Sequence, residues 1–406
     1  MKKTLFIFLI VGNVLLIDIC YSQWIQVSNG MGNILAGTLT ADGTNMFAGG
    51  TSAGVYYTSN SGANWVQTSL NSQLVFALIN SGSNVLAGTF NGGTFRSTDN
   101  GASWNQVTMG SNMTVWAYCY SGSNVFAGTF CPIVANMGVY KSTDNGLTWS
   151  LAGVNNREVR SITSEGNYIY AGTIDSGVFV SSNSGTNWIK SSLNNRNVRS
   201  IAANGNFVYA GIMNSQGLFL STDNGDTWVQ SSLNNRDCQA LTFQGSTVLT
   251  GTALHGVYVS NDNGTNWEQK NEGLGHLSVS ALIIHNGYVY AGTSGGGVYR
   301  RAISELLSIQ PVSNQIPSSY SLSQNYPNPF NPATKIRFDI SGTSAAQTFL
   351  SVYDLLGREV AVLVNEKLTP GEYEVDFDGS NLPSGVYYCK LKAGDFVETR
   401  KMVLVK

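Results

Sequence analysis

The chain has 406 residues, and its 22 Lys plus Arg against 24 Asp plus Glu give a formal net charge of −2. That charge provides no broad basic field for nucleic acid or anionic lipid. Only 11% of residues are charged, against about 25% in an average soluble protein, while 45 glycines and 11% aromatics favour short strands and tight turns over helices.

At the amino terminus Lys2 and Lys3 precede an apolar run from Leu5 to Ile17, and Cys20-Tyr21-Ser22 places small residues ahead of a cleavage point before Gln23. This is the pattern of a secretory signal peptide over residues 1–22. The run is shorter than the ~18–20 apolar residues a membrane-spanning helix requires, and no later stretch is longer, so no membrane span is expected. Cleavage would leave Cys119, Cys131, Cys238 and Cys389. They show no CxxC spacing, and Cys119 and Cys131 share a hairpin without standing directly opposite, so no disulfide framework is expected.

From Gln23 onward the chain repeats. Trp24, Trp65, Trp104, Trp149, Trp188, Trp228 and Trp267 follow one another at intervals of 41, 39, 45, 39, 40 and 39 residues. Ala-Gly-Thr-like triplets starting at Ala48, Ala87, Ala127, Ala171, Ala210, Thr250 and Ala291 keep the same step. Each unit contains four short apolar runs separated by Gly, Asn and Ser. Between Arg199 and Trp228, for example, strands are expected over Ser200–Ala203, Phe207–Gly211 and Gly217–Ser221, with Trp228 opening a fourth. No window offers an amphipathic helical period. Four strands in about 40 residues is the signature of a propeller blade, and the markers give seven units over residues 23–302.

Between the third and fourth runs stands Ser/Thr-x-Asp/Asn-x-Gly-x-x-Trp, six times in register. Its acidic or amide position is Asn60, Asp99, Asp144, Asn183, Asp223 and Asp262. A short Asp or Asn side chain accepts turn amides, Gly takes the positive φ, and the Trp packs between sheets. The motif resembles the Asp box of the bacterial neuraminidase repeat family, and the repeats are also similar to the photosystem II stability/assembly factor-like propellers. In the Asp-box family the motif joins the third and fourth strands of a blade. By that phase Trp24 begins a fourth strand without its first three, and Val298-Tyr299-Arg300 is a third strand without its fourth. The fold class implied is all-β: a seven-bladed β-propeller closed by an N-terminal strand, followed by a small Ig-like β-sandwich.

The sandwich follows a change of texture. Of eight prolines only Pro132 precedes Pro311, so residues 303–319 read as a linker and residues 320–406 as a second domain. There Ile336, Phe338 and Ile340, and likewise Tyr373, Val375 and Phe377, alternate with polar residues as half-buried strands do. Tyr326-Pro-Asn-Pro-Phe330, Val352-Tyr-Asp-Leu-Leu-Gly-Arg-Glu-Val360, Leu382-Pro-Ser-Gly-Val-Tyr-Tyr388 and Lys401 to Lys406 together resemble a type IX secretion C-terminal sorting domain. The resemblance implies a location outside a Gram-negative cell or on its outer-membrane surface, the type IX machinery as a partner, and removal of the tail or its attachment to lipopolysaccharide.

Candidate ligand contacts follow from the repeat. Asn155-Asn-Arg157, Asn194-Asn-Arg196 and Asn234-Asn-Arg236 precede three first strands, with Arg160 and Arg199 close behind; Phe76 and Trp116 hold the equivalent places two units earlier. Loops between blades and between second and third strands share one propeller face. There these residues would form an arc around the channel mouth, joined by His255, His276 and the loop from Phe130 to Gly138 with Ile133, Val134 and Met137. Arg, Asn and aromatics suit a glycan or carboxylate; a solvated turn copied by duplication is the plainer reading. His285 is expected at a strand end, and Gly292–Gly297 as a hairpin rather than a phosphate loop. No metal site and no cofactor is expected. Outside the Asp boxes the repeats offer Asp42, Glu158, Glu165, Asp175, Asp226, Asp237, Glu268 and Glu272, which neither recur nor pair as two hydrolytic carboxylates would. No catalytic residue is assigned. The function expected is a secreted or surface non-catalytic module, a monomer, binding a glycan or protein at the mouth. Alternatives are a sialidase-like glycoside hydrolase and a protein-interaction scaffold.

Overall fold

The computed structural model describes residues 23–406 other than 33, 51–53, 110–111, 133–136, 307–310, 314 and 380–381. The signal-peptide reading and Ile133 and Val134 lie outside the described residues. The described residues are all-β, with a short 3-10 turn at Ile303–Glu305. No helix among the described residues is long and apolar enough to cross a membrane.

Residues 25–302 form seven four-stranded antiparallel sheets among the described residues. In chain order their first strands are Ala36–Asp42, Val75–Ser81, Thr114–Ser121, Val159–Glu165, Val198–Asn204, Cys238–Gln244 and Val279–His285. Each first strand packs on the next, and Val279–His285 packs back on Ala36–Asp42.

The Ala-Gly-Thr marker is explained by this packing. Second strands such as Phe207–Ile212 are buried along nearly their whole length, and the middle residue of the triplet meets the next first strand. A Cβ added to Gly88 would lie 2.8 Å from Val115 Cβ, one on Gly251 2.6 Å from Val279 Cγ1, and one on Gly292 2.5 Å from the Ala36 carbonyl oxygen. No larger residue fits there without shifting a neighbouring sheet.

The seventh sheet combines both ends of the repeat region. Ile25–Gln26 lies antiparallel to Gly297–Ala302, with Ile25 opposite Arg300 and Gln26 opposite Tyr299. The Trp24 amide donates to the Glu272 carbonyl at 2.7 Å and the Val27 amide to the Val298 carbonyl at 2.8 Å. Trp24 and Trp65 are almost fully buried. The periodic tryptophans divide by hydrogen bond. The indole N–H of Trp24, Trp65 and Trp188 reaches the preceding sheet at the carbonyls of Lys270, Val27 and Ala152. Trp104, Trp149, Trp228 and Trp267 donate within their own turns, to Gly101, Gly146, Gly225 and Gly264.

The segment after the repeats is more ordered than its composition suggests. Ile303 and Leu306 are buried with Trp24 and Tyr299, and Pro311–Ser313 pairs with Gly371–Asp378. The tail holds two four-stranded sheets: Pro311–Ser313, Gly371–Asp378, Ala333–Ile340 and Ser321–Leu322 in one, and Glu359–Leu368, Ala346–Tyr353, Gly385–Ala393 and Phe396–Leu404 in the other. Their inward positions, among them Phe338, Tyr373, Leu350, Leu391 and Met402, form one core. Cys119, Cys131, Cys238 and Cys389 are buried. Cys119 stands opposite Phe126, so the hairpin register keeps it away from Cys131.

Candidate functional site

The repeated acidic turn is self-contained. Ser97 Oγ donates to Asp99 Oδ1 at 2.7 Å and accepts the Gly101 amide at 2.8 Å; Asp99 Oδ1 takes the Ser103 amide at 2.9 Å, and Oδ2 the Ser103 hydroxyl at 2.6 Å. Asn100 and Gly101 both adopt positive φ, 57° and 83°. Hydrogen bonds from Ser103 and Ser97 hold the Asp99 carboxyl down at about 2, and equivalent bonds from Thr148 and Ser142 hold Asp144 there and from Thr227 and Ser221 hold Asp223. Where the chain has Asn60 and Asn183, the neutral amide oxygen accepts the equivalent amides of Asn64 and Asn187. Asp262 binds Ser260 and Asn266 likewise. Their oxygens serve the turn, which makes these residues braces rather than reagents.

The turns lie beside the loops joining first and second strands, as the Asn100 amide to Ser83 carbonyl bond shows. The opposite face is formed by the loops between sheets and those joining second and third strands, tied together by Phe90 to Leu74, Ile174 to Glu158, Met213 to Asn197 and Ser294 to Ser278 backbone bonds.

On that face every first strand carries a β-bulge at the same place. The pairing skips one residue between Ala36 and Thr38, Val75 and Ala77, Val115 and Ala117, Val159 and Ser161, Val198 and Ser200, Cys238 and Ala240, and Val279 and Ala281. A bulge re-aims the extra side chain and is common beside functional sites. The seven extra residues are Gly37, Phe76, Trp116, Arg160, Arg199, Gln239 and Ser280, all partly exposed.

Several touch their neighbours across sheets. Phe76 stacks on Trp116 with ring centres 4.5 Å apart, and the Arg160 guanidinium lies 4.1 Å from the Trp116 ring centre. Burial, and then the charge of Arg160, pull the Arg199 guanidinium below its ordinary value. Ser280 donates to Gln239 Oε1 at 3.4 Å and shares a 2.8 Å hydrogen bond with Ser294. The structure thus brings together four predicted residues, Phe76, Trp116, Arg160 and Arg199. It adds Gln239, Ser280 and the vacant Gly37, whose shared signal is a place eleven residues before each Ala-Gly-Thr-like triplet.

The loop arginines are not gathered into that ring. Arg157 pairs with Asp175 at 3.5 Å, Arg196 Nη1 donates to Gln216 Oε1 at 2.8 Å, and Arg236 Nε donates to the Tyr258 hydroxyl at 3.3 Å. The carbonyls of Arg196 and Arg236 accept the amides of Gly177 and Gly217 from the preceding sheet. Each therefore braces two sheets at the rim. His255 donates its amide to Thr252 Oγ1, while His276 Nδ1 accepts the Ser278 amide; no hydrogen bond links the two histidines. No group of three metal-ligating side chains occurs among the described residues. His285 ends its strand on the opposite face, and Gly292–Gly297 turns between Tyr288–Thr293 and Gly297–Ala302. Carboxylates on the mouth side are engaged: Glu158 with Arg160 at 2.5 Å, Asp175 with Arg157, and Asp237 with the Ser215 amide.

Residues 324–406 match the family described as a secretion system C-terminal sorting domain. No curated protein matches the chain. Among solved structures it is similar to PorZ, an essential bacterial surface component of the type-IX secretion system of Porphyromonas gingivalis. The TM-score is 0.55 at 15% identity, over 93% of this chain and 60% of that one. YCF48 bound to a D1 peptide gives a TM-score of 0.54 at 13% identity, over 70% and 98% of the two chains. The GH74 xyloglucanase of Xanthomonas campestris gives 0.54 at 13% identity, over 79% and 60%. The chain thus spans 60% of the length of PorZ and of the xyloglucanase. At such identities the likeness is one of fold, and these neighbours are propellers. The carboxyl-terminal segment carries a type IX sorting domain, which implies export to the cell surface or extracellular space, behind a propeller-like run of four-stranded sheets.

Proposed function

We propose that this chain is an exported, non-catalytic binding module. In this reading residues 1–22 are a signal peptide, residues 23–302 a seven-bladed propeller of the Asp-box type closed by its N-terminal strand, residues 303–319 the connection, and residues 320–406 an Ig-like sorting sandwich. The ligand, a glycan or a surface protein, binds at the mouth. The observation that carries the reading is the ring of bulged residues, because six extra side chains and one glycine at the same register on one face serve recognition better than they serve strand pairing. The engaged state of Glu158, Asp175 and Asp237 favours binding over hydrolysis. The fold shared with a xyloglucanase supports a glycan ligand, and that shared with YCF48 bound to a D1 peptide supports a protein one.

The test is retention of a panel of polysaccharides by residues 23–406, with mass spectrometry for released sugar. Retention without release, weakened when Phe76→Ala and Gln239→Ala are combined, is the expected result. Released oligosaccharide would overturn the non-catalytic assignment, and retention of no glycan would overturn the glycan ligand.

A further inference from the structure

Arg160 and Arg199 occupy neighbouring places in the ring, yet their surroundings differ. Arg160 has Glu158 as counter-charge at 2.5 Å and the Trp116 ring as a platform. Arg199 has neither: among the described residues its guanidinium makes no ion pair or side-chain hydrogen bond, and what acts on it is burial and the charge of Arg160. Its guanidinium keeps its charge at any ordinary pH and offers five donors in a planar fork. A half-buried cation beside a like charge and without an acceptor is unfavourable unless an anion joins it. The shape that fits the fork is a planar group with two acceptor oxygens.

The groups beside it narrow the class. Beyond Arg199 the ring continues with Gln239 and Ser280, backed by Ser294, which are uncharged hydrogen-bonding groups. Gly37 leaves room where a side chain would stand. On the same face, Phe90 is 43% exposed and stands edge-on to Phe76, offering a face for the C–H side of a sugar ring. Amide and hydroxyl groups next to this cation suit a polyhydroxylated acid better than an apolar peptide side chain.

We infer that the mouth takes an acidic saccharide whose carboxylate sits on Arg199 beside Arg160 and whose hydroxyls face Gln239 and Ser280. The inference rests on the mouth being the binding site and names the class of ligand. It is tested by titration calorimetry of residues 23–406 with galacturonate and glucuronate trimers, their methyl esters, and N-acetyl-trialanine with a free carboxylate. An acid trimer should bind, its ester should bind at least tenfold more weakly, and added salt should weaken the acid alone. Arg199→Gln should lose at least tenfold for the acid and leave the ester unchanged, with Arg199→Lys intermediate. The urea transition of tryptophan fluorescence checks that both variants are folded. Equal binding of ester and acid, undiminished binding by a folded Arg199→Gln, tighter binding of the peptide acid, or no heat from either trimer would overturn the assignment. An ester that binds equally well but is lost in the combined Phe76→Ala and Gln239→Ala variant would remove the anchor and keep the mouth as the site. Failure of every glycan in the wider panel would remove both.

Discussion

Two equivalent glycines provide an internal control on how tightly the third strand of a sheet meets the chain that forms and leaves the fourth. Gly217 and Gly93 each open the third strand of a sheet, at φ of 75° and 69°. A Cβ on Gly217 would lie 2.1 Å from the Leu233 carbonyl oxygen and 2.5 Å from Asn234 Cα, whereas the nearest atom to one on Gly93 is the Val107 carbonyl oxygen at 3.8 Å. Both alanine variants carry the left-handed backbone cost of about 1 kcal/mol. Gly217→Ala must in addition push back a backbone segment, at about 1–3 kcal/mol for overpacking. The expected losses are therefore about 3 kcal/mol for Gly217→Ala and about 1 kcal/mol for Gly93→Ala. Urea unfolding followed by tryptophan fluorescence separates them cleanly, because all eight tryptophans lie between Trp24 and Trp267 and none is in the tail. Equal stability of the two variants would refute the close contact at Gly217.

Trp65→Phe leaves the buried Val27 carbonyl without the indole N–H that reaches it at 2.8 Å, and should cost about 1–2 kcal/mol. Trp104→Phe, whose partly exposed indole bonds only its own turn, should cost less in the same urea assay. Asp99, Asp144 and Asp223 have folded values of about 2, below the ordinary 3.8. Their stabilisation is complete above 3.8 and drains away as pH falls toward 2. Acid titration of fluorescence should show the repeats unfolding in that window, less steeply in Asp99→Asn. Burial pushes the thiols of Cys119, Cys238 and Cys389 up to about 12, and Cys131 is buried too. A disulfide reagent at mildly alkaline pH should label none of the four in folded residues 23–406 and all four in denaturant.

Much of the architecture was legible from two markers with physical causes. The periodic Trp fills the space between sheets, and the triplet glycine marks where the next first strand presses. Strand starts were less legible: Val198 belongs to its strand, paired with Ile212, because the bulge at Arg199 lets pairing resume on the other side. The ring was half legible. Phe76, Trp116, Arg160 and Arg199 attract attention by chemistry, whereas Gln239, Ser280 and Gly37 share only a register. For the repeated Asn-Asn-Arg loops, the partners of Arg157, Arg196 and Arg236 lie in the next loop or strand of the same unit, where spacing cannot reveal them. Ile303 and Leu306 looked like linker because Pro and Ser surround them, yet a few apolar side chains are enough to anchor a segment on an exposed core edge.

The pairing of the first strand with the last sets an order of assembly. Each of the first six sheets comes from one continuous stretch and can form as that stretch becomes available, but the seventh needs contacts such as Ser28 to Val298, 270 positions apart. Until Gly297–Ala302 arrives, the growing array has an unpaired border at each end, open to strands from other molecules. The sorting segment begins at residue 324, downstream of that closing strand. A chain cut short before closure therefore also lacks its address, so incomplete rings are left behind while only molecules long enough to seal themselves carry the export tag.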